Sequence, residues 1–446
     1  MKSKPVLILT VCILCAVGMA QWSSPAPLLG GSPYADGQSI AAGAGDTMWA
    51  TVVSTAPCRV YACWTTGDTW SEPVELGPPD SNPVFHDPGM GRDASGRMWA
   101  AWYKDLDSGG VWAAFRDSAG WHASRVYGSY AAGPMSFASD AAGNWYLGFA
   151  VLTPYLEYAY SSAVCSRWTG DSWESPRYIA RGDSVPFETN FYAPKLVTRP
   201  DSGLWAVYEM SIGGSSRISR MKIVQRDTVR GRWIANGTDP VATADSAGRL
   251  WILYSELAQH WVTSQMIVDS VGVDTQLITD VAEGPACVTC AGGHVDGLVW
   301  MVWPHYTSHR VMANFAFETE WFLSGQVSDS AGVPKGIAAV NERVYVVFRT
   351  PDGRLYSVYG KSTPGIQHQP GPVTTASRHP SIVRGVLFLP QASGVKREAS
   401  SVLLDISGRQ VLDLRAGAND VRALPAGVYF VRQEVGNRIA KVVIQR

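Results

Sequence analysis

The chain has 446 residues, of which 46% are hydrophobic and only 17% charged, with a formal net charge of −1. This composition excludes a disordered polyelectrolyte, and the lack of a basic excess argues against a nucleic-acid partner. With 44 glycines, 18 tryptophans and 18 tyrosines, many short strands and tight turns are expected in place of long helices.

Residues 1–20 read as a secretory signal peptide. Lys2 and Lys4 precede an apolar run over residues 6–17, and Gly18-Met19-Ala20 places small residues where cleavage after Ala20 needs them. The run is shorter than the ~20 residues of a spanning helix. No transmembrane segment is expected after cleavage. Five cysteines remain in the mature chain: Cys58, Cys63, Cys165, Cys287 and Cys290. Cys287-Val-Thr-Cys290 has half of a zinc site's spacing, but nothing nearby completes it, so neither a metal nor another cofactor is expected and the thiols read as small buried hydrophobes.

The body of the chain is a repeat. Asp93-Ala-Ser-Gly96-Arg97-Met98-Trp99 recurs as Asp245-Ser-Ala-Gly248-Arg249-Leu250-Trp251, with shorter versions at Asp140 to Trp145 and Asp201 to Trp205 and degenerate copies ending at Trp49, Trp300 and Tyr345. Seven aromatic markers thus fall at 49, 99, 145, 205, 251, 300 and 345, at intervals of 45 to 60 residues. In each copy Asp and Gly supply a turn, and the apolar run that follows reads as a strand buried on both faces. A second line, Val60-Tyr-Ala-Cys-Trp64-Thr-Thr-Gly67-Asp68-Thr-Trp70-Ser-Glu-Pro73, returns as Val164 to Pro176 and reads as another hairpin. Two hairpins per period, seven times over, predict a seven-bladed β-propeller across residues 21–363. Trp22-Ser-Ser-Pro25 copies the outer-strand line Trp70-Ser-Glu-Pro73, so residues 22–28 are expected to complete the last blade. In broad pattern the repeats resemble secreted propellers of the sialidase-like, Asp-box type. The resemblance implies the fold only: the Arg-Ile-Pro line of sialidases is missing, and the Gly67-Asp68 and Gly170-Asp171 turns reverse the Asp-box order.

Residues 364–380 are rich in Pro and Gly and read as a linker. From residue 381 onward short alternating strands return. From Arg378 to the end, 11 Lys and Arg stand against 5 Asp and Glu, which sets a basic tail apart from an acidic body. The line Leu403-Leu-Asp405-Ile-Ser-Gly408-Arg409-Gln-Val411, then Leu424-Pro-Ala-Gly427-Val-Tyr429, then Lys441-Val-Val-Ile444, resembles the C-terminal sorting domain of the type IX secretion system. That resemblance implies a small Ig-like β-sandwich, with Asp405, Gly408, Arg409, Leu424, Gly427, Tyr429 and Lys441 as its motif. It also implies the outer-membrane secretion machinery as a partner, and delivery to the surface of a Gram-negative bacterium or into its surroundings.

Propeller geometry sorts the remaining polar residues. Hairpin turns lie on one face, and the loops between blades and between second and third strands lie on the other. That loop face is expected to carry His86, Asp87, Tyr103, Asp105, Glu188, Tyr192, His260, Trp261, His305, Tyr306 and Arg349. Aromatics beside carboxylates and histidines suit a glycan or protein ligand. Glu209 and Glu256, read as equivalent positions of adjacent repeats, are the candidates for a catalytic pair. The expected function is that of an exported, monomeric ligand-binding propeller. A propeller-type glycoside hydrolase or polysaccharide lyase is the first alternative, and a structural surface protein the second.

Overall fold

The computed structural model describes residues 22–31, 35–55, 58–77, 85–104, 109–155, 158–181, 189–199, 203–212, 215–224, 227–245, 247–256, 261–268, 271–279, 287–290, 298–317, 320–361, 381–383, 386–389, 401–404, 409–415, 417–433 and 439–444. Residues 1–20, expected to be a signal peptide, and residues 364–380, expected to be a linker, lie outside the described residues. Two units divide the chain, Met1–Gln367 and His368–Arg446.

Apolar runs without alternation become strands covered on both sides. Met98–Lys104 and Val299–Pro304 are buried at every position. In the first unit, β1 (Ala26–Pro27) precedes seven antiparallel sheets. Blade 1 is β2 (Ala35–Ala42), β3 (Met48–Thr55), β4 (Cys58–Thr65) and β5 (Val74–Glu75). Blade 2 is β6 (Phe85–Arg92), β7 (Met98–Lys104), β8 (Gly110–Asp117) and β9 (Gly120–Tyr127). Blade 3 is β10 (Ala131–Ser139), β11 (Trp145–Tyr155), β12 (Tyr158–Arg167) and β13 (Arg177–Ala180). In blade 4, β14 (Thr189–Phe191) and β15 (Lys195–Arg199) share the inner position, followed by β16 (Gly203–Ile212), β17 (Ser215–Val224) and β18 (Asp227–Asn236). Blade 5 is β19 (Thr238–Ala244), β20 (Leu250–Glu256), β21 (Trp261–Val268) and β22 (Val271–Thr279). Blade 6 is β23 (Cys287–Cys290), β24 (Val299–Pro304), β25 (Arg310–Phe317) and β26 (Glu320–Ala331). Blade 7 is β27 (Val333–Val340), β28 (Arg343–Arg349) and β29 (Leu355–Lys361), with β1 as its outermost strand.

Each innermost strand packs against the next, and that of blade 7 packs against that of blade 1, so the ring is closed. At the seam Ala26 lies opposite Ser357, the Ser23 amide donates to Tyr359 O at 2.8 Å, and the Leu28 amide donates to Leu355 O at 3.0 Å. Closure leaves no unpaired edge between the first and last blades.

The Asp of the repeat is a clamp. Asp93 accepts the Arg97 amide (3.0 Å), Arg97 Nε (3.0 Å) and the Trp99 indole N–H (2.8 Å). Asp245 does the same with the Arg249 amide (2.9 Å), Arg249 Nε (2.6 Å) and Trp251 (2.9 Å). In blade 3 the group that reaches Asp140 is the Tyr146 hydroxyl, at 3.2 Å. Tyr146, not Trp145, is therefore the third marker. Tyr146 packs toward blade 4, whereas Trp145 stacks on Phe137 and packs toward blade 2. Moving one residue along a strand exchanges its faces.

A second set of aromatics joins the blades. The tryptophan opening an outer segment meets the marker of the preceding blade edge to face: Trp121 on Trp49 (5.8 Å, 78°), Trp173 on Trp99 (5.4 Å, 79°), Trp321 on Trp251 (5.7 Å, 90°) and Trp22 on Trp300 (5.9 Å, 81°). Such pairs add about 0.5–1.5 kcal/mol each beyond the area they bury. At the seam Trp70 donates to Ser357 Oγ at 2.7 Å.

The second unit holds β30 (Ser381–Val383), β31 (Val386–Leu389), β32 (Ser401–Leu404), β33 (Gln410–Leu414), β34 (Gly417–Asp420), β35 (Gly427–Gln433) and β36 (Ile439–Ile444). Five strands form a sheet in the order β30-β36-β35-β32-β33, and β31 pairs with β34. Leu403, Leu414, Val421, Tyr429 and Val431 make its core, with Leu424 against it. The buried Tyr429 ring donates its hydroxyl to Pro425 O at 2.9 Å and packs at 3.6 Å from where a Gly427 side chain would begin. Arg409 immediately precedes β33, and Lys441 pairs in register with Phe430. Asp405 and Gly408 lie outside the described residues.

Candidate functional site on the loop face

Five inner strands enter from the loop face through a break in their pairing that carries a proline; the break of blade 1, between Ala35 and Gln38, carries none. Register shifts fall between His86 and Gly89, Ala132 and Ser136, Thr238 and Val241, and Pro334 and Gly336. In blade 4 the break separates β14 from β15. A proline sits at each of these places: Pro88, Pro134, Pro194, Pro240 and Pro334, eleven or twelve residues before the marker. Proline lacks the N–H that a ladder needs and is tolerated at bulges and on edge strands, and an innermost strand is an edge. This spacing is a sequence signal that the aromatic period alone overlooks, and it marks where these five blades open toward the loops.

A recess on this face lies between blades 6 and 7. It encloses about 390 Å³ and is lined by Pro25, Ser330, Phe348, Thr350, Asp352 and Tyr356, among others. The half-buried Tyr356 ring faces it, backed at 6.2 Å and 26° by Phe348, which belongs to the core between the blades. Gly332 permits the tight passage between the blades, because a Cβ there would fall 2.8 Å from the Phe348 ring. Its amide donates to His309 O at 2.7 Å, tying the connection to the 305–309 loop of blade 6.

Three of the residues expected from sequence lie on blades 6 and 7 at this end, though none lines the recess. His305 stacks on Trp303 (5.8 Å, 26°), and its Nδ1 faces the Thr307 and Ser308 amides at 3.3 Å each, which leaves the ring proton on Nε2. Tyr306 is exposed beside it. Arg349 ends β28, next to Thr350 of the recess and paired in register with Val333. Asp352 carries the recess's carboxylate. Its pKa is held below the usual carboxylate range, first by the Thr350 hydroxyl and also by Arg354. Thr350 itself donates to Asp352 Oδ1 at 2.5 Å. Ser330, Asp352 and Tyr356 did not figure among the expected residues.

The other candidates are scattered. Tyr192 is exposed at the break in blade 4. Tyr103 is 7% exposed and packs with Trp99, Val111 and Phe149, so it is a core residue and not a ligand contact. Glu209 is also only 7% exposed. Its Oε2 accepts the Asp239 amide at 2.9 Å, bracing blade 4 against blade 5. Burial pushes its pKa up, against the hydrogen bonds from the Asp239 amide and the Ser216 hydroxyl. Glu209 and Glu256 are not equivalent. Counted from Trp205 and Trp251, the place of Glu209 is taken by Ser255, and Glu256 lies one residue further along. Of His86, Asp87, Glu256 and Trp261 the structure describes strand positions only, and Asp105, Glu188 and His260 lie outside the described residues. Among the described residues no cluster of His, Cys, Asp or Glu could hold a metal ion. Cys63 and Cys165 are buried free thiols, pushed up to about 12 by burial, and so are poor nucleophiles.

No protein-family model and no curated protein matches the chain. Among solved structures it is similar to a protein of unknown function from Dyadobacter fermentans DSM 18053, at 11% identity over 77% of this chain and 99% of that one, with a TM-score of 0.50. A polysaccharide lyase described as an ulvan lyase aligns at 10% identity over 78% and 97%, with a TM-score of 0.48. A Hadza microbial sialidase aligns at 12% over 75% and 67%, with a TM-score of 0.43. At these identities the likeness shows the propeller fold alone. No helix among the described residues is long and apolar enough to cross a membrane.

Proposed function

We propose that this chain is an exported carbohydrate-binding propeller whose ligand sits on the loop face between blades 6 and 7. The observation that carries the reading is the recess of about 390 Å³ beside the half-buried Tyr356 ring, which the core residue Phe348 backs. It has the size of a small-ligand site, an apolar platform for a sugar ring, and Ser330, Thr350 and Asp352 to meet hydroxyls. Calorimetric titration with a panel of neutral oligosaccharides tests the proposal: Tyr356→Ala should abolish binding of the neutral ligand that the intact chain takes. Unchanged affinity in that variant would move the site elsewhere.

A hydrolase or lyase reading draws its support from Glu209, a carboxyl raised by burial and close to the Asp239 carboxylate. Its carboxylate is engaged, however, by the Asp239 amide of blade 5 and by Ser216 of its own blade. Product release from a bound oligosaccharide, lost in Glu209→Gln, would favour catalysis over binding.

The C-terminal unit is, on this proposal, a sorting domain of Ig-like type that hands the chain to the type IX secretion machinery for delivery to the bacterial surface. Its support is the Leu424, Gly427, Tyr429 line, which converges on the core of the small sheet. Deletion of residues 381–446 should leave the chain in the periplasm, and normal surface delivery would defeat this part of the reading.

A further inference from the structure

On the opposite, turn face, blade 1 lacks the aspartate clamp that blades 2, 3 and 5 share. Blade 1 has the same turn as its neighbours: the Gly43 amide donates to Thr47 O at 2.7 Å, as Asp93 does to Arg97 O and Asp245 to Arg249 O, both at 3.0 Å. The clamp is missing, however. Gly43 stands at the place of Asp93 and Asp245, and Thr47 at that of Arg97 and Arg249. The Trp49 ring leans onto Gly43, where a Cβ would fall 2.8 Å from the indole nitrogen. Among the described residues the Trp49 N–H has no acceptor, although its counterparts in Trp99 and Trp251 donate to a carboxylate.

The vacated space is a recess of about 320 Å³ between blades 1 and 2, lined by Ala44, Thr47, Trp49, Trp64, Gly96 and Arg116, among others. Trp64 is 42% exposed, unlike the blade markers, which are buried. Its backbone is pinned on both sides by Ser71, through the Ser71 amide (2.7 Å) and the Ser71 hydroxyl (3.0 Å). Arg116 lies over Trp49 at 5.2 Å and, unlike Arg97 and Arg249, has no carboxylate partner among the described residues. Arg92 adds a second cation at the rim, donating to Gly43 O at 3.2 Å. The nearby Asp46 carboxylate is engaged by Asn341 of blade 7.

We infer that this recess binds a carboxylate-bearing sugar, a uronate, whose carboxylate supplies the acceptor that the repeat omits here. A stacked guanidinium with free donors suits a carboxylate, and an exposed indole held rigid suits the apolar face of a pyranose. A volume near the lower end of ~300–1,000 Å³ matches a ligand of few rings. Blade 1 keeps the turn of blades 2, 3 and 5 without their clamp and brings a cation and an exposed tryptophan together in its place, a local departure of the kind expected at a functional site.

Trigalacturonate is the probe, with neutral galactotriose and a short oligoglutamate as controls, each titrated calorimetrically into the full chain. Trigalacturonate should bind, and the two controls should bind at least about tenfold more weakly. Arg116→Gln should lower the trigalacturonate affinity about tenfold and remove the preference for the acidic sugar. Trp64→Ala should weaken it as strongly. Both side chains are exposed, so folding is unaffected, and a far-UV spectrum checks this. Tyr356→Ala, on the loop face, should leave trigalacturonate binding at this recess intact, which separates this site from the one proposed above. No binding, binding indifferent to Trp64 and Arg116, or oligoglutamate binding as tightly as the sugar would each overturn the inference.

Discussion

Replacing Asp245 with alanine tests the claim that the repeat's aspartate is a structural clamp. Its side chain is fully buried, and it accepts three hydrogen bonds, two from Arg249 and one from Trp251. Hydrogen bonds to a charged acceptor contribute about 1.5–3 kcal/mol each and are not additive. Removing one member of a buried ion pair costs about 3–5 kcal/mol, because the remaining groups keep their desolvation without their partner. Trp251, only 1% exposed, would keep a buried N–H with no acceptor. A loss of about 3–5 kcal/mol is therefore expected. Urea unfolding followed by tryptophan fluorescence and far-UV circular dichroism reads it as a lower midpoint at unchanged slope. Asp171→Ala is the matched control, since that carboxylate serves only an exposed turn through Thr169 and Ser172, and its midpoint should not move. Equal midpoints for the two variants would refute the clamp.

Glu209 gives a pH signature. Because burial raises its pKa from 4.5 in the folded chain, its contribution is fully present below the unfolded value and is lost as pH rises through the folded one. Stability of Glu209→Gln relative to the intact chain should thus climb from acid toward neutral pH, and a pH-independent gap would contradict the assignment. At the ring seam Tyr359 donates its hydroxyl to Asp68 at 2.6 Å. Tyr359→Phe should cost about 1 kcal/mol in the same urea assay, and no change would show the seam to be held by its strand pairing alone. Gly89→Ala should destabilise by about 1–3 kcal/mol, since a Cβ there would lie 2.7 Å from Met135 O on the neighbouring inner strand. A thermal melt matching that of the unmodified chain would show that blades 2 and 3 have room to separate.

What the sequence by itself determined was periodic and local. Asp and Gly at fixed distances before an aromatic announce a turn and a buried strand, and seven copies announce seven blades, because turn chemistry and strand burial are written in neighbouring residues. The contacts between blades were decided only by tertiary structure. Trp145 and Tyr146 are equally plausible markers in a list of spacings, yet only one reaches Asp140, since a single step along a strand exchanges the faces. The same step separates Glu209 from Glu256. The two recesses were illegible for a related reason. Each is made where residues from adjacent blades meet: Pro25 with Ser330 and Tyr356 on one face, Trp49 with Arg116 on the other. A blade's own pattern specifies which of its side chains point outward, but whether they cover a neighbour or leave a gap depends on how closely two separately encoded sheets pack.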